Sequence, residues 1–143
     1  ADELLWLDPP PAAAVGQARA LLAQLGALDA AGRVTAHGRR MAALPLHPRL
    51  AHMLLVAADL DATALACDLA ALLADRDVLR AAPQAGGPPR FPDADVRLRL
   101  DLVRGGGVPA AVHGWEVDAA GVRRARDEAR ALRERLRAVL GER

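Results

Sequence analysis

Four histidines, His37, His47, His52 and His113, are the candidate bases and metal ligands of this sequence. None forms an H-x-x-x-H pair or joins a cysteine at zinc-ligand spacing, so the pattern predicts no metal centre. The carboxylate pairs Asp59/Asp61 and Asp75/Asp77 fall at expected helix ends, where capping and solvation account for them better than acid–base work. Cys67 lies in an apolar helical run and reads as a buried, inert thiol. The 19 basic residues are all arginine. With no lysine, Schiff-base, Ser–Lys and P-loop chemistries are excluded, since each uses the ammonium group itself. Gly105-Gly106-Gly107 has neither a buried strand before it nor a lysine after it, and reads as a flexible connection. No nucleophile–base–orienter set is apparent.

Arginine is what remains. Arg123, Arg126, Arg130, Arg133 and Arg137 recur at helical spacing, one step along from an apolar seam of Val122, Ala125, Ala129, Leu132, Leu136 and Val139. From Ala119 to Arg143 there are 8 Arg against 4 acidic residues, a local excess of 8 − 4 = +4 hidden within a net charge of +1. Two readings stand. Arg123 with Asp127, Arg124 with Glu128 and Arg130 with Glu134 would make a solvated, salt-bridged face. Alternatively the stripe, with Arg97 and Arg99, tracks a phosphate backbone; arginines without interleaved aromatics favour backbone contact over base stacking. On that reading, Gln at Arg126, Arg130 and Arg133 should weaken nucleic-acid binding and leave stability nearly unchanged.

The elements that would carry these residues are mostly helical. The 143 residues are 52% hydrophobic but only 2% aromatic, and 34 are alanine, a composition of packed helices. Helix signals follow Asp8-Pro9-Pro10-Pro11, with Val15, Ala18, Leu22 and Leu25 on one face and Gly26 as the stop. Leu28-Asp29 and Arg33-Val34-Thr35 flank a tight turn and read as a small β-hairpin. Thr35 caps a short helix ended by Pro45, and Pro48 opens another with a stripe of Leu50, Met53, Leu54, Ala57 and Leu60. Asp61 is placed to cap a further helix with Leu65, Leu69, Leu72 and Leu73 inward. Ala81 to Pro89 is a Pro/Gly-rich loop. Asp93–Arg104 fits both strand alternation and helical spacing; helix is preferred because no partner strand is evident. The next stretch, with Trp115, reads as a loop, and Asp118 caps the final helix. The fold class is therefore mainly α: a winged-helix domain with a small β-hairpin over residues 1–60, then a helical bundle over 61–143 sharing its core.

Several of these pieces also resemble a family. Trp6-Leu7-Asp8-Pro9-Pro10-Pro11, Leu25-Gly26-Ala27-Leu28-Asp29, Gly32-Arg33-Val34-Thr35, Gly38-Arg39-Arg40-Met41 and Leu44-Pro45-Leu46-His47-Pro48-Arg49-Leu50 are similar to the stretch after the second RecA-like domain of DEAH-box helicases. Ala66-Cys67-Asp68-Leu69-Ala70-Ala71-Leu72-Leu73 with Arg76-Asp77, and Asp93-Ala94-Asp95-Val96-Arg97-Leu98-Arg99-Leu100, resemble the bacterial HrpB-type branch. The resemblance implies a winged-helix domain and a ratchet-like helical domain from an ATP-dependent RNA helicase, closing over single-stranded RNA beside RecA-like motor domains that would hold ATP and Mg²⁺. It implies a monomeric, cytoplasmic accessory module with no catalytic residue or cofactor of its own. The start at Ala1 rather than Met suits a piece of a longer chain. A free-standing winged-helix DNA-binding regulator is the alternative, but Arg39, Arg40 and Arg49 offer it few base-reading partners. A helical protein-interaction module is a third reading, separated from the others by whether RNA binds at all.

Overall fold

The computed structural model describes residues 10–81, 95–112 and 114–141. The expected caps Asp8 and Asp93, the Pro/Gly-rich loop beyond Ala81, and His113 lie outside them. Helix α1 spans Ala12–Gln24, α2 Ala36–Ala42, α3 Pro48–Asp59 and α4 Thr63–Ala74; α5 spans Asp95–Arg104 and α6 Ala119–Leu140. Strands β1 (Leu79–Ala81), β2 (Ala111–Val112) and β3 (Trp115–Val117) form an antiparallel sheet in the order β1-β3-β2. The fold is mainly α with a winged-helix front and a helical remainder, as composition and periodicity indicate.

Local chemistry explains most boundaries. Gly26 turns the chain out of α1 with φ at +71°, a backbone conformation that costs glycine little. The hairpin after it is reduced to one Leu28–Val34 bridge. Asp29 holds its turn, its Oδ1 accepting from the backbone N–H of Ala31 and Arg33, both at 2.9 Å. Thr35 caps α2, its Oγ1 accepting from Gly38 N–H at 2.9 Å. His47 is the N-cap of α3, with Nδ1 accepting from Arg49 N–H at 3.3 Å and Pro48 in the first turn. Asp118 caps α6 through Gly121 N–H at 3.0 Å, and Gly141 ends it in the left-handed region.

Four sequence expectations need correction. Asp61 does not cap α4: the N-cap is Ala62, without a side-chain bond, and Asp61 itself sits at φ +54°. The inward face of α4 is Ala66, Cys67, Asp68, Ala70, Ala71 and Leu72, whereas Leu65 and Leu73 are exposed. Small side chains let α4 lie close between α3 and α6, so close packing prevails over the stripe of larger residues. Leu60, at 71% exposure, likewise leaves the α3 stripe. Finally, the loop around Trp115 is a hairpin, closed through Gly114 at φ +80° and paired through β3 with β1. Strands of two or three residues carry too little alternation to stand out in a sequence.

The core has two parts with α6 running through both. One joins Ala27, Met41, Leu44, Leu54, Leu55, Cys67 and Ala70 to Ala129, Leu132 and Leu136. The other joins Leu72, Val78, Leu79, Leu102 and Val103 to Val122 and Ala125. A helix of 22 residues extends about 33 Å, long enough to serve as the spine of both. Helix α1 contributes no fully buried residue; Leu22 and Leu25 pack at the edge.

The wing meets α2 at one close approach. A Cβ on Gly38 would stand 2.3 Å from the Ala27 carbonyl oxygen and 3.0 Å from its carbonyl carbon and Cα. Gly38→Ala should therefore lower stability by about 1–3 kcal/mol, although alanine alone would favour the helix by about 1 kcal/mol. Urea denaturation decides the sign, and a more stable variant would show that the wing does not sit this tightly on α2.

Candidate nucleic-acid interface

The five stripe arginines of α6 divide into two sets. At about 100° per residue, Arg123, Arg130 and Arg137 fall within about 40° of one another, while Arg126 and Arg133 are turned about 40–60° nearer the buried seam. The outer three are exposed and the inner two half-buried. Arg126 is spent on backbone: its Nε donates to Val103 O at 2.9 Å, and its Nη2 to Leu102 O at 2.8 Å and Gly105 O at 2.6 Å. The first two are among the last carbonyls of α5, which otherwise lack intrahelical partners, and the third is that of the residue just after it. Arg133 donates through Nη2 to Asp68 Oδ1.

Asp68 is the one buried charged residue among those described, at 2% exposure. Its second oxygen, Oδ2, accepts from Arg104 Nε at 2.8 Å. A buried carboxylate needs such partners to offset lost hydration. Around it opens a cleft of about 530 Å³ between α4, α5 and α6, lined by Asp68, Arg104, Arg126, Arg130 and Arg133 with Ala64, Val103 and Gly105. Of the four arginines on its wall, Arg104 and Arg133 bond the carboxylate. Arg130 stands at the rim, paired with Asp127 at 3.3 Å and 68% exposed.

Arg97 and Arg99 do not line this cleft. Arg97 stands exposed on α5. Arg99 is drawn to the segment after α4, its Nε donating to Asp77 Oδ1 at 2.7 Å and its Nη2 to Oδ2 at 2.5 Å. The expected i,i+4 pairs are replaced as well. Arg124 reaches Asp75 at 3.4 Å and Asp118 at 3.7 Å rather than Glu128, and Arg130 takes Asp127 rather than Glu134. For Arg124, carboxylates from other parts of the chain compete successfully because an i,i+4 pair on a solvated face is worth only a few tenths of a kcal/mol; Arg130 stays in such a pair and exchanges the i,i+4 neighbour for the i,i+3 one. For the same reason, Gln at Arg126 and Arg133 would not leave stability unchanged, since both tie α6 to its neighbours.

Local fields follow this pairing. The Arg99 guanidinium beside Asp77 holds its carboxyl below the ordinary range, and backbone N–H groups of Arg76 and Gly121 do the same for Asp75 and Asp118. A depressed carboxyl contributes stability above its ordinary pKa and loses it as pH falls through the folded value, so acid weakens the Asp77–Arg99 tie. Burial pushes the Cys67 thiol up to about 11, which leaves it protonated and unreactive at neutral pH. His37 Nε2 lies 2.9 Å from His52 Nδ1, and burial followed by the neighbouring His52 lowers its pKa. Among the described residues no group of three His, Cys, Asp or Glu is placed to hold a metal ion, and no helix is long and apolar enough to cross a membrane.

Asp68 and Arg104 are the site residues that periodicity misses. Their signal was a lone acid inside the apolar run Ala66-Cys67-Asp68-Leu69, which calls for a cation from elsewhere in the chain.

The sequence is similar to known proteins. Residues 18–46 match the helicase associated domain (HA2), winged-helix, family. Over 94 residues, 66% of the chain, the sequence is 38% identical to the ATP-dependent RNA helicase HrpB of Escherichia coli (strain K12). Over that stretch the chain is similar to the HrpB-type helicases. A yeast protein, "Probable ATP-dependent RNA helicase DHR2" of Saccharomyces cerevisiae, is 33% identical over 81 residues, 54% of the chain. The matches cover 10% of HrpB and 11% of the yeast protein, so the chain spans about a tenth of the length of these helicases. The similarity to HrpB-type DEAH-box helicases implied by the motifs is thus borne out, and the stretch from within α1 through α2 is the part that matches the helicase-associated winged helix.

Proposed function

We propose that this chain is an accessory nucleic-acid-channel module of an ATP-dependent RNA helicase. It closes over single-stranded RNA beside RecA-like motor domains, which hold ATP and Mg²⁺ outside this chain. The observation that carries the reading is the outer face of α6: Arg123, Arg130 and Arg137 stand exposed in one row beside a cleft with four arginines and one carboxylate. Guanidinium groups match phosphate oxygens in geometry and charge. Contact with the backbone alone is indifferent to base sequence, which suits a motor that must move along any strand. Helicase relatives support the same assignment.

Replacing Arg123, Arg130 and Arg137 together with Gln spares every buried contact of α6, so stability should change by less than about 1 kcal/mol. Affinity for single-stranded RNA should fall. If each of the three neutralises one phosphate, the slope of log K against log salt flattens by about 2, at about 0.7 per phosphate. Fluorescence anisotropy across a salt series measures both quantities. A variant with the parental slope would make this row a solvated surface.

A further inference from the structure

Two guanidinium groups are held side by side by one carboxylate, and neither is used up. Asp68 Oδ2 takes Arg104 Nε, leaving both terminal nitrogens of Arg104 without a partner among the described residues. Asp68 Oδ1 takes Arg133 Nη2, which leaves Nη1 of Arg133 without a partner among the described residues, while its Nε is buried and unpartnered behind it. Terminal guanidinium nitrogens left unused in a pair of like charges at the wall of a cleft call for an anion. Arg126, by capping the end of α5 through three carbonyls, fixes the backbone from which Arg104 projects.

We propose that Asp68, Arg104 and Arg133 form a preorganised clamp for one phosphate group, with Arg130 at the rim completing its neutralisation. Asp68 is the positioning residue: it touches no ligand and sets the two forks at a fixed spacing, so ordering them costs nothing when the anion arrives. The clamp deepens the nucleic-acid reading and rests on it where the phosphate is a phosphodiester of the strand. A strand's terminal monoester or free phosphate would present the same oxygens.

The sign of one substitution separates a clamp from mere positive potential. Asp68→Asn makes the chain more positive by one charge, so a simple electrostatic surface would bind anions more tightly. The clamp, losing its organiser, should bind about tenfold more weakly. Arg104→Lys keeps the charge and removes the fork from a half-exposed position, and should weaken binding similarly. The 143-residue chain is titrated with inorganic phosphate, with an oligouridylate bearing hydroxyl ends, and with the same strand carrying a 5′-phosphate, following the arginine Nε–H NMR signals.

Shifts at Arg104 and Arg133 with the hydroxyl-ended strand identify the phosphodiester as source, and shifts only with the monoester or free phosphate identify those; each supports the clamp. Unchanged or tighter binding by folded Asp68→Asn, or by Arg104→Lys, overturns it. Phosphate seated at the clamp in a chain that binds no RNA would retain the clamp and refute the nucleic-acid reading. RNA binding of parental strength by both variants would do the reverse.

Discussion

Removing both cations from Asp68, as Arg104→Met with Arg133→Met, is expected to destabilise the chain by about 3–5 kcal/mol. Methionine retains an unbranched stem near the length of the arginine aliphatic portion, so packing is largely kept. What is lost is the charge balance of a carboxylate only 2% exposed, held between α4, α5 and α6. The partners are themselves part-exposed, at 48% and 34%, so the pair is worth little as a net gain; the large number is the cost of stranding the acid. Adding Asp68→Ala to the double variant should therefore restore much of the loss, because a buried ionic group can often be exchanged for an apolar one with little penalty. Urea denaturation of the three chains gives this comparison directly. A double variant within about 1 kcal/mol of the parent would reduce the bridge to the level of a surface ion pair.

Leu132→Ala is the second large effect. Leu132 is 0% exposed, with its neighbours in α6, Ala129 and Leu136, in the same core. Truncation removes the transfer energy of the lost atoms and leaves a space that rigid helices fill only partly, for a loss of about 3–5 kcal/mol. Against a total stability of about 5–15 kcal/mol, that is a large share. Leu73→Ala provides the contrast. Sequence spacing counts Leu73 as core, but it is 60% exposed and its truncation should cost no more than about 0.5 kcal/mol. Equal losses at the two positions would mean that α4 is rotated from the orientation described.

These two leucines also show what could be read from the sequence. Helix α6 was legible because its buried seam and arginine stripe keep one spacing over about four turns, so pattern and structure coincide at Val122, Ala125, Ala129, Leu132 and Leu136. Thr35, Pro48 and Asp118 mark helix starts through side-chain chemistry that does not depend on distant contacts. Helix α4 departs from its leucine spacing because its inward face is mostly alanine and cysteine with Asp68, and of the larger leucines only Leu72 is buried there. Which of the stripe arginines are internal could not be read at all. Arg126 and Arg133 share their spacing with Arg123, Arg130 and Arg137, and only the position of the α5 end and of Asp68 turns them inward.

On the proposed function, single-stranded RNA lies along the outer row of α6 and into the adjoining cleft. The most direct measurement is an NMR map of the arginine Nε–H signals as a short single strand of mixed base sequence is added. Shifts are expected at Arg123, Arg130, Arg137, Arg104 and Arg133, equal for strands of different sequence and diminishing together as salt rises. Shifts confined to Arg39, Arg40 and Arg49 of the winged helix, or none at α6 while RNA binds, would contradict it.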